Sequence, residues 1–174
     1  MGLVRSASGY VREYIVAPCK VPYNEFCYNV AMNRTEKIRI LIADDFKVLR
    51  DVIRLHLEQA GDLEVVGEAP DLNHALEQAR GLQPDVIIMN DYLPPLDSAH
   101  AAELFRKQEL PVAILVISMK AEADLIQRSF RHGANGFMHK DEIDDCLAEA
   151  IRSVHRGDRY FSARAREAYG SIQD

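Results

Sequence analysis

From Ile38 onward the chain alternates five times between a short apolar run and a segment whose apolar residues recur every three or four positions. The runs Ile38 to Ala43, Leu63 to Ala69, Asp85 to Met89, Val112 to Ile117 and Gly136 to His139 read as strands. Leu49, Val52, Ile53, Leu57 and Ala60 mark a first helix, with Gly61 placed to cap its end. Asp71 is placed to cap a second helix carrying Leu72, Ala75, Leu76 and Ala79. Asp97 or Ser98 can cap a third, with Ala101, Leu104 and Phe105 inward. Ala121 to His132 reads as a fourth, ending at Gly133. Asp141 is placed to cap a fifth, with Ile143, Leu147, Ile151 and Val154 on one face and an end near Gly157. Strands without in-out alternation imply a parallel sheet with helices on both faces, an α/β fold. In such a sheet active groups gather beyond the carboxyl ends of the strands. Asp44, Asp45, Asn90, Ser118 and Lys140 all fall there.

The flanks follow no such rhythm. Residues 1–37 lack a clear period and are expected to form a poorly ordered extension, or the product of an upstream start, with Met32 an ordinary beginning for the folded part. The folded domain is expected over 38–157. Residues 158–174 are expected to be a tail or linker remnant, with a helix around Ala163 to Tyr169, too short for a DNA-binding module.

Composition narrows the function classes. Hydrophobic residues make up 48% and charged ones 28%, values of a folded globular chain. No apolar run approaches the ~18 residues that a membrane span needs. Five cations against three anions give residues 1–37 a charge of +2, so the remainder carries −8 of the net −6. That balance argues against direct nucleic-acid binding, which relies on clustered Lys and Arg. Cys19, Cys27 and Cys146 form no zinc or redox spacing, and an odd count suits a reducing cytoplasm. Cys146 is expected to be a small buried apolar residue. The six histidines show no metal spacing, and His139 is expected to face solvent.

Two adjacent carboxylates at a strand end, Asp44 and Asp45, repel each other unless a cation neutralises them, and hard oxygen donors suit Mg²⁺. Lys140 is a point charge suited to phosphate. The ordered set of Asp44-Asp45, Asn90-Asp91-Tyr92-Leu93-Pro94, Ser118 and Lys140 resembles the receiver domain of bacterial response regulators. The resemblance covers about Ile38 to Arg156. It implies a flavodoxin-like, doubly wound five-stranded (βα)5 sheet in the order 2-1-3-4-5. It also implies Mg²⁺ held by Asp44, Asp45, the residue-90 side chain and the Tyr92 carbonyl. Ser118 and Lys140 would contact a phosphoryl group, and Phe137 matches the family's aromatic switch position. Lys140 is followed by Asp141 rather than the family's usual proline, which leaves the isomer of that peptide open. Gly157 to Ser162 resembles the linker of regulators with helix-turn-helix output.

Asn90 departs from the family, which carries a phosphoacceptor aspartate at that place. An amide oxygen is a weak nucleophile and forms no stable acyl phosphate. Mg²⁺ is expected to bind more weakly, and the domain to stay near its unphosphorylated form. Asp91 is expected to point away from the site, since successive strand residues face opposite sides. The sequence thus reads as a stand-alone, non-enzymatic, cytoplasmic signalling module that acts through protein–protein contact. Its expected partners are a histidine kinase, another response regulator, or a second copy docked through the fourth helix, fifth strand and fifth helix (Ala121 to Arg156). Two alternatives are a conventional phosphoacceptor domain carrying an introduced Asp-to-Asn change, and a truncated DNA-binding regulator.

Overall fold

The computed structural model describes residues 37–170. The N-terminal extension, with Cys19 and Cys27, and the last four residues lie outside them. Strands β1 (Ile38–Ala43), β2 (Leu63–Ala69), β3 (Val86–Asn90), β6 (Ala113–Ser118) and β7 (Gly136–His139) alternate with helices α1 (Lys47–Leu57), α2 (Leu72–Leu82), α3 (Ser98–Lys107), α4 (Ala123–Arg131) and α5 (Ile143–His155). A small antiparallel ladder, β4 (Tyr92–Leu93) with β5 (Leu96–Asp97), follows β3. Two elements close the chain: β8 (Tyr160–Phe161) and α6 (Ala163–Gly170). The main sheet is parallel throughout, in the order β2-β1-β3-β6-β7-β8.

Every residue of β3 and β7 is buried, which explains why these runs show no alternation. Two apolar layers sandwich the sheet. Ile53, Leu57, Leu147 and Ile151, from α1 and α5, pack on Ile40, Ile42, Ile88 and Leu115. On the other face Leu72, Ala75, Ala101, Phe105 and Ile126 pack on Leu41, Ile87, Ile114 and Val116. Asp71 and Asp97 cap their helices as the sequence implies, accepting from the backbone N–H of His74 at 3.0 Å and of His100 at 2.9 Å. Gly133 and Gly157 take the positive φ that only glycine adopts without strain.

Three local expectations fail. Gly61 does not cap α1, which stops at Leu57 with right-handed Glu58 at its end. Asp141 does not cap α5. It lies in a single 3-10 turn, Lys140–Glu142, and α5 begins after Glu142. His139 is buried rather than exposed, because its strand is covered on both faces. Its Nε2 lies 2.9 Å from the Met119 carbonyl, and its Nδ1 accepts from the Asp141 N–H. Cys146 is half-buried against the α1/α5 layer.

The larger correction is the sixth strand. Residues 160–170 form the helix that the sequence implies, over Ala163–Gly170, and before it a strand that the sequence does not. Tyr160 N–H donates to Asn135 O and Ser162 N–H to Phe137 O, each at 3.1 Å, so β8 covers the outer edge of β7. Gly136 makes this possible, since a Cβ there would press on Leu115, Val154 and Tyr160. Phe161 stacks on Phe130 of α4 at 4.5 Å and meets Tyr169 of α6 at 5.2 Å, and Ala165 is fully buried. Burial, with the Cys146 thiol beside it, pushes the Tyr160 phenol up to about 12. A two-residue strand gives too short a pattern to read from sequence.

Phe161→Ala is therefore expected to cost about 2 kcal/mol in denaturant unfolding, below a full core deletion because the ring is only partly buried. Amide exchange at Tyr160 and Ser162 should quicken while β1, β3 and β6 stay protected.

Candidate functional site

The strand order reverses between β1 and β3, and the crevice at their carboxyl ends holds the predicted residues. Asp44 and Asp45 follow β1, Asn90 ends β3, Ser118 ends β6, and Lys140 follows β7. A cleft of about 430 Å³ opens between Asp44, Asp45, Asn90 and Lys140, with Phe46, Leu49 and Met119 on its rim.

Each polar group in the crevice is engaged by a specific neighbour. Asp44 is fully buried, and both its oxygens are used. Oδ1 accepts the Phe46 N–H at 2.8 Å, and Oδ2 accepts from Lys140 Nζ at 3.0 Å. Arg50 Nη1 donates to the Asp44 carbonyl at 2.7 Å, and its Nε lies 3.1 Å from Glu68. Asp45 is exposed and receives only the Asn90 side-chain amide, at 3.3 Å. Asn90 Oδ1 accepts the Asp91 N–H at 3.1 Å. With oxygen and nitrogen assigned so, the amide presents its NH₂ to Asp45 where an aspartate would present a second negative oxygen.

Ser118 does not meet Asn90. Its hydroxyl donates to Asp91 Oδ2 at 2.8 Å and accepts the Lys120 N–H at 2.9 Å. Asp91 thus turns its carboxylate to Ser118 and does not line the cleft. No register slip is involved, since β3 and β6 stay paired through Asn90 and Ile117. Strand β3 ends at Asn90, so the two-residue alternation does not reach Asp91. Phe137 is fully buried in the apolar layer that α4 and α6 share. Tyr92 lies in the β4 ladder with its side chain half-exposed. The peptide after Lys140 is trans, since Pro94–Pro95 is the single cis peptide among the described residues.

The family model for the response regulator receiver domain matches residues 40–152. The chain belongs to that family. It is 33% identical over 122 residues to the probable transcriptional regulatory protein NarL of Mycobacterium tuberculosis, covering 70% of this chain and 56% of the relative. It is 36% identical over 133 residues to the transcriptional regulatory protein MctR of Rhizobium johnstonii, covering 76% and 62%. The chain therefore spans little more than half the length of the curated relatives it matches. The NarL receiver domain superposes with a TM-score of 0.62 at 33% identity, over 67% of this chain and 98% of that one. A LuxR-family two-component response regulator from Aurantimonas sp. gives 0.76 at 25% identity, over 79% and 99%. The larger share covered reaches beyond the 113 residues that the family model matches.

Receiver domains generally bind Mg²⁺. The donor set here fits that ion poorly. Asp44 is already neutralised by Lys140, Asn90 is uncharged, and Asp45 alone is an open carboxylate. Among the described residues no group of three His, Cys, Asp or Glu side chains is arranged to hold a metal. Asp45 with the Asn90 oxygen, after rotation of that amide, would be the pair to hold it.

Part of the face expected to dimerise is covered within the chain. Strand β8 occupies the β7 edge and α6 packs on α4, with Arg164 Nη1 2.7 Å from Asp141. The apolar side chains left exposed lie instead around α1: Phe46, Val48, Val52 and Leu55, with Tyr92 and Met119 near the cleft. Val52, one of the residues whose spacing marks the helix, belongs to this outward stripe.

Lys140→Ala is expected to destabilise the domain by about 3 kcal/mol, because it strands a buried carboxylate. Asp44→Asn in the same background should recover much of that loss. Chemical denaturation of the two variants checks both.

Proposed function

We propose that this chain is a receiver module that is not phosphorylated at its acceptor position and acts by binding other signalling proteins. The observation that carries the reading is Asn90. An uncharged amide stands where phosphoryl transfer needs a carboxylate, in a crevice that otherwise keeps Asp44, Asp45, Ser118 and Lys140. Phosphoryl transfer depends mainly on charge positioning around a competent nucleophile, and the nucleophile is the missing part. The partner is a histidine kinase or another response regulator in the bacterial cytoplasm. The face it meets is centred on α1, since β8 and α6 cover the α4–β7 side.

A second reading has one observation in its favour. The curated relatives named above are transcriptional regulators of which the matched segment covers 56% and 62%. This chain can therefore be the receiver part of a DNA-binding regulator, with Gly157 to Ser162 leading toward the output module. Sequencing the gene through and beyond codon 174 discriminates the two.

Incubation with Mg²⁺ and a small acyl phosphate, followed by intact-mass measurement, tests the leading reading. The unaltered chain should gain no phosphoryl group and Asn90→Asp should gain one. A labelled unaltered chain would refute it. Asn90→Asp should also tighten Mg²⁺ about tenfold in a calorimetric titration, from one added charge near the ion in a largely solvated site.

A further inference from the structure

We propose that Asp91 is a second, independent block on phosphoryl chemistry, a positioning residue that holds the Ser118 hydroxyl and keeps an extra negative charge at the crevice. The inference rests on the dormant-site reading above and extends it to a residue outside the metal and phosphoryl set.

The geometry commits Ser118 completely. A serine hydroxyl has one proton to donate. That proton goes to Asp91 Oδ2 at 2.8 Å, and the same oxygen accepts the Lys120 N–H at 2.9 Å. Asp91 itself has little freedom to withdraw. Its N–H donates to Ile117 O and its carbonyl accepts the Ser98 N–H, each at 2.9 Å. The backbone is therefore tied to β6 on one side and to the start of α3 on the other.

The charge count points the same way. Asp44 already holds Lys140 and Asp45 accepts the Asn90 amide, while Asp91, the next residue in the chain, turns its carboxylate to Ser118. Among the described residues no cation pairs with Asp91. A phosphoryl group arriving at position 90 finds the Ser118 hydroxyl proton already donated to Asp91, the next residue in the chain, and a like charge there disfavours a second anion. The same contact fixes the β6–α4 connection, since Ser118 holds Lys120 N–H and His139 holds the Met119 carbonyl.

The test compares Asn90→Asp with Asn90→Asp/Asp91→Ala in the full chain, using acetyl phosphate with Mg²⁺ and intact mass as the readout. The double variant should label about tenfold faster than the single one, the scale of one like charge removed a few ångströms away in solvated surroundings. Equal rates would overturn the role of Asp91 while leaving the dormant-site reading intact. If neither variant labels, the dormant-site reading fails and a second measurement decides. That measurement is amide hydrogen exchange at Lys120 in Asp91→Ala with Asn90 unchanged. Release of the serine should speed exchange at Lys120 several-fold while β1 and β3 stay protected. Unchanged exchange there would overturn the proposal.

Discussion

The contact between Asp44 and Lys140 is what the crevice is built around. The two residues are 96 positions apart, and their ion pair at 3.0 Å joins the loop after β1 to the turn after β7 across the carboxyl ends of β3 and β6. Asp44 is fully buried, and Lys140 and the Phe46 N–H meet its two oxygens. Once that pair forms, the positions of Asn90 and Ser118 between the two strands follow from sheet register. Asn90 stands there as an uncharged amide in a crevice whose fold is intact. An amide among carboxylates lowers local repulsion rather than raising it.

The same economy extends outward from the crevice. Ser118 is held by Asp91, Met119 by His139, and Phe130 by Phe161, so the β6–α4–β7 region has a partner at each point where it could shift. The C-terminal segment contributes part of this restraint through β8 and α6. What remains outward is the apolar side of α1, which the sheet does not need for its own burial. The chain keeps the fold of a receiver, carries an amide at the acceptor position and leaves one helix face open, the features on which the proposed binding role rests.

Much of this was legible in the sequence. Buried parallel strands and capped helices leave strong local patterns, and Asp71, Asp97, Gly133 and Gly157 behave as their residue types dictate. Asp44, Asp45, Asn90, Ser118 and Lys140 converge because strand ends in such a sheet must. The failures share a cause, namely contacts set by distant residues. Asp91, just past the end of β3, turns its carboxylate to Ser118, a residue 27 positions away that no local pattern links to it. His139 and the sixth strand depend on a tail whose Tyr160 and Phe161 form too short an apolar run to read alone. Asp141 gave up helix capping for the 3-10 turn and a contact with Arg164, a residue 23 positions away.

The most direct test of a crevice locked in one state is a pair of amide nitrogen–proton correlation spectra of the unaltered chain, without and with Mg²⁺ and acyl phosphate. The account requires the resonances of Ser118 through Glu142 to be unchanged by the phosphoryl donor beyond what Mg²⁺ alone produces. A donor-dependent shift of Ser118, Lys120 or Phe137 would show that the chain still responds to phosphoryl chemistry, and would contradict it.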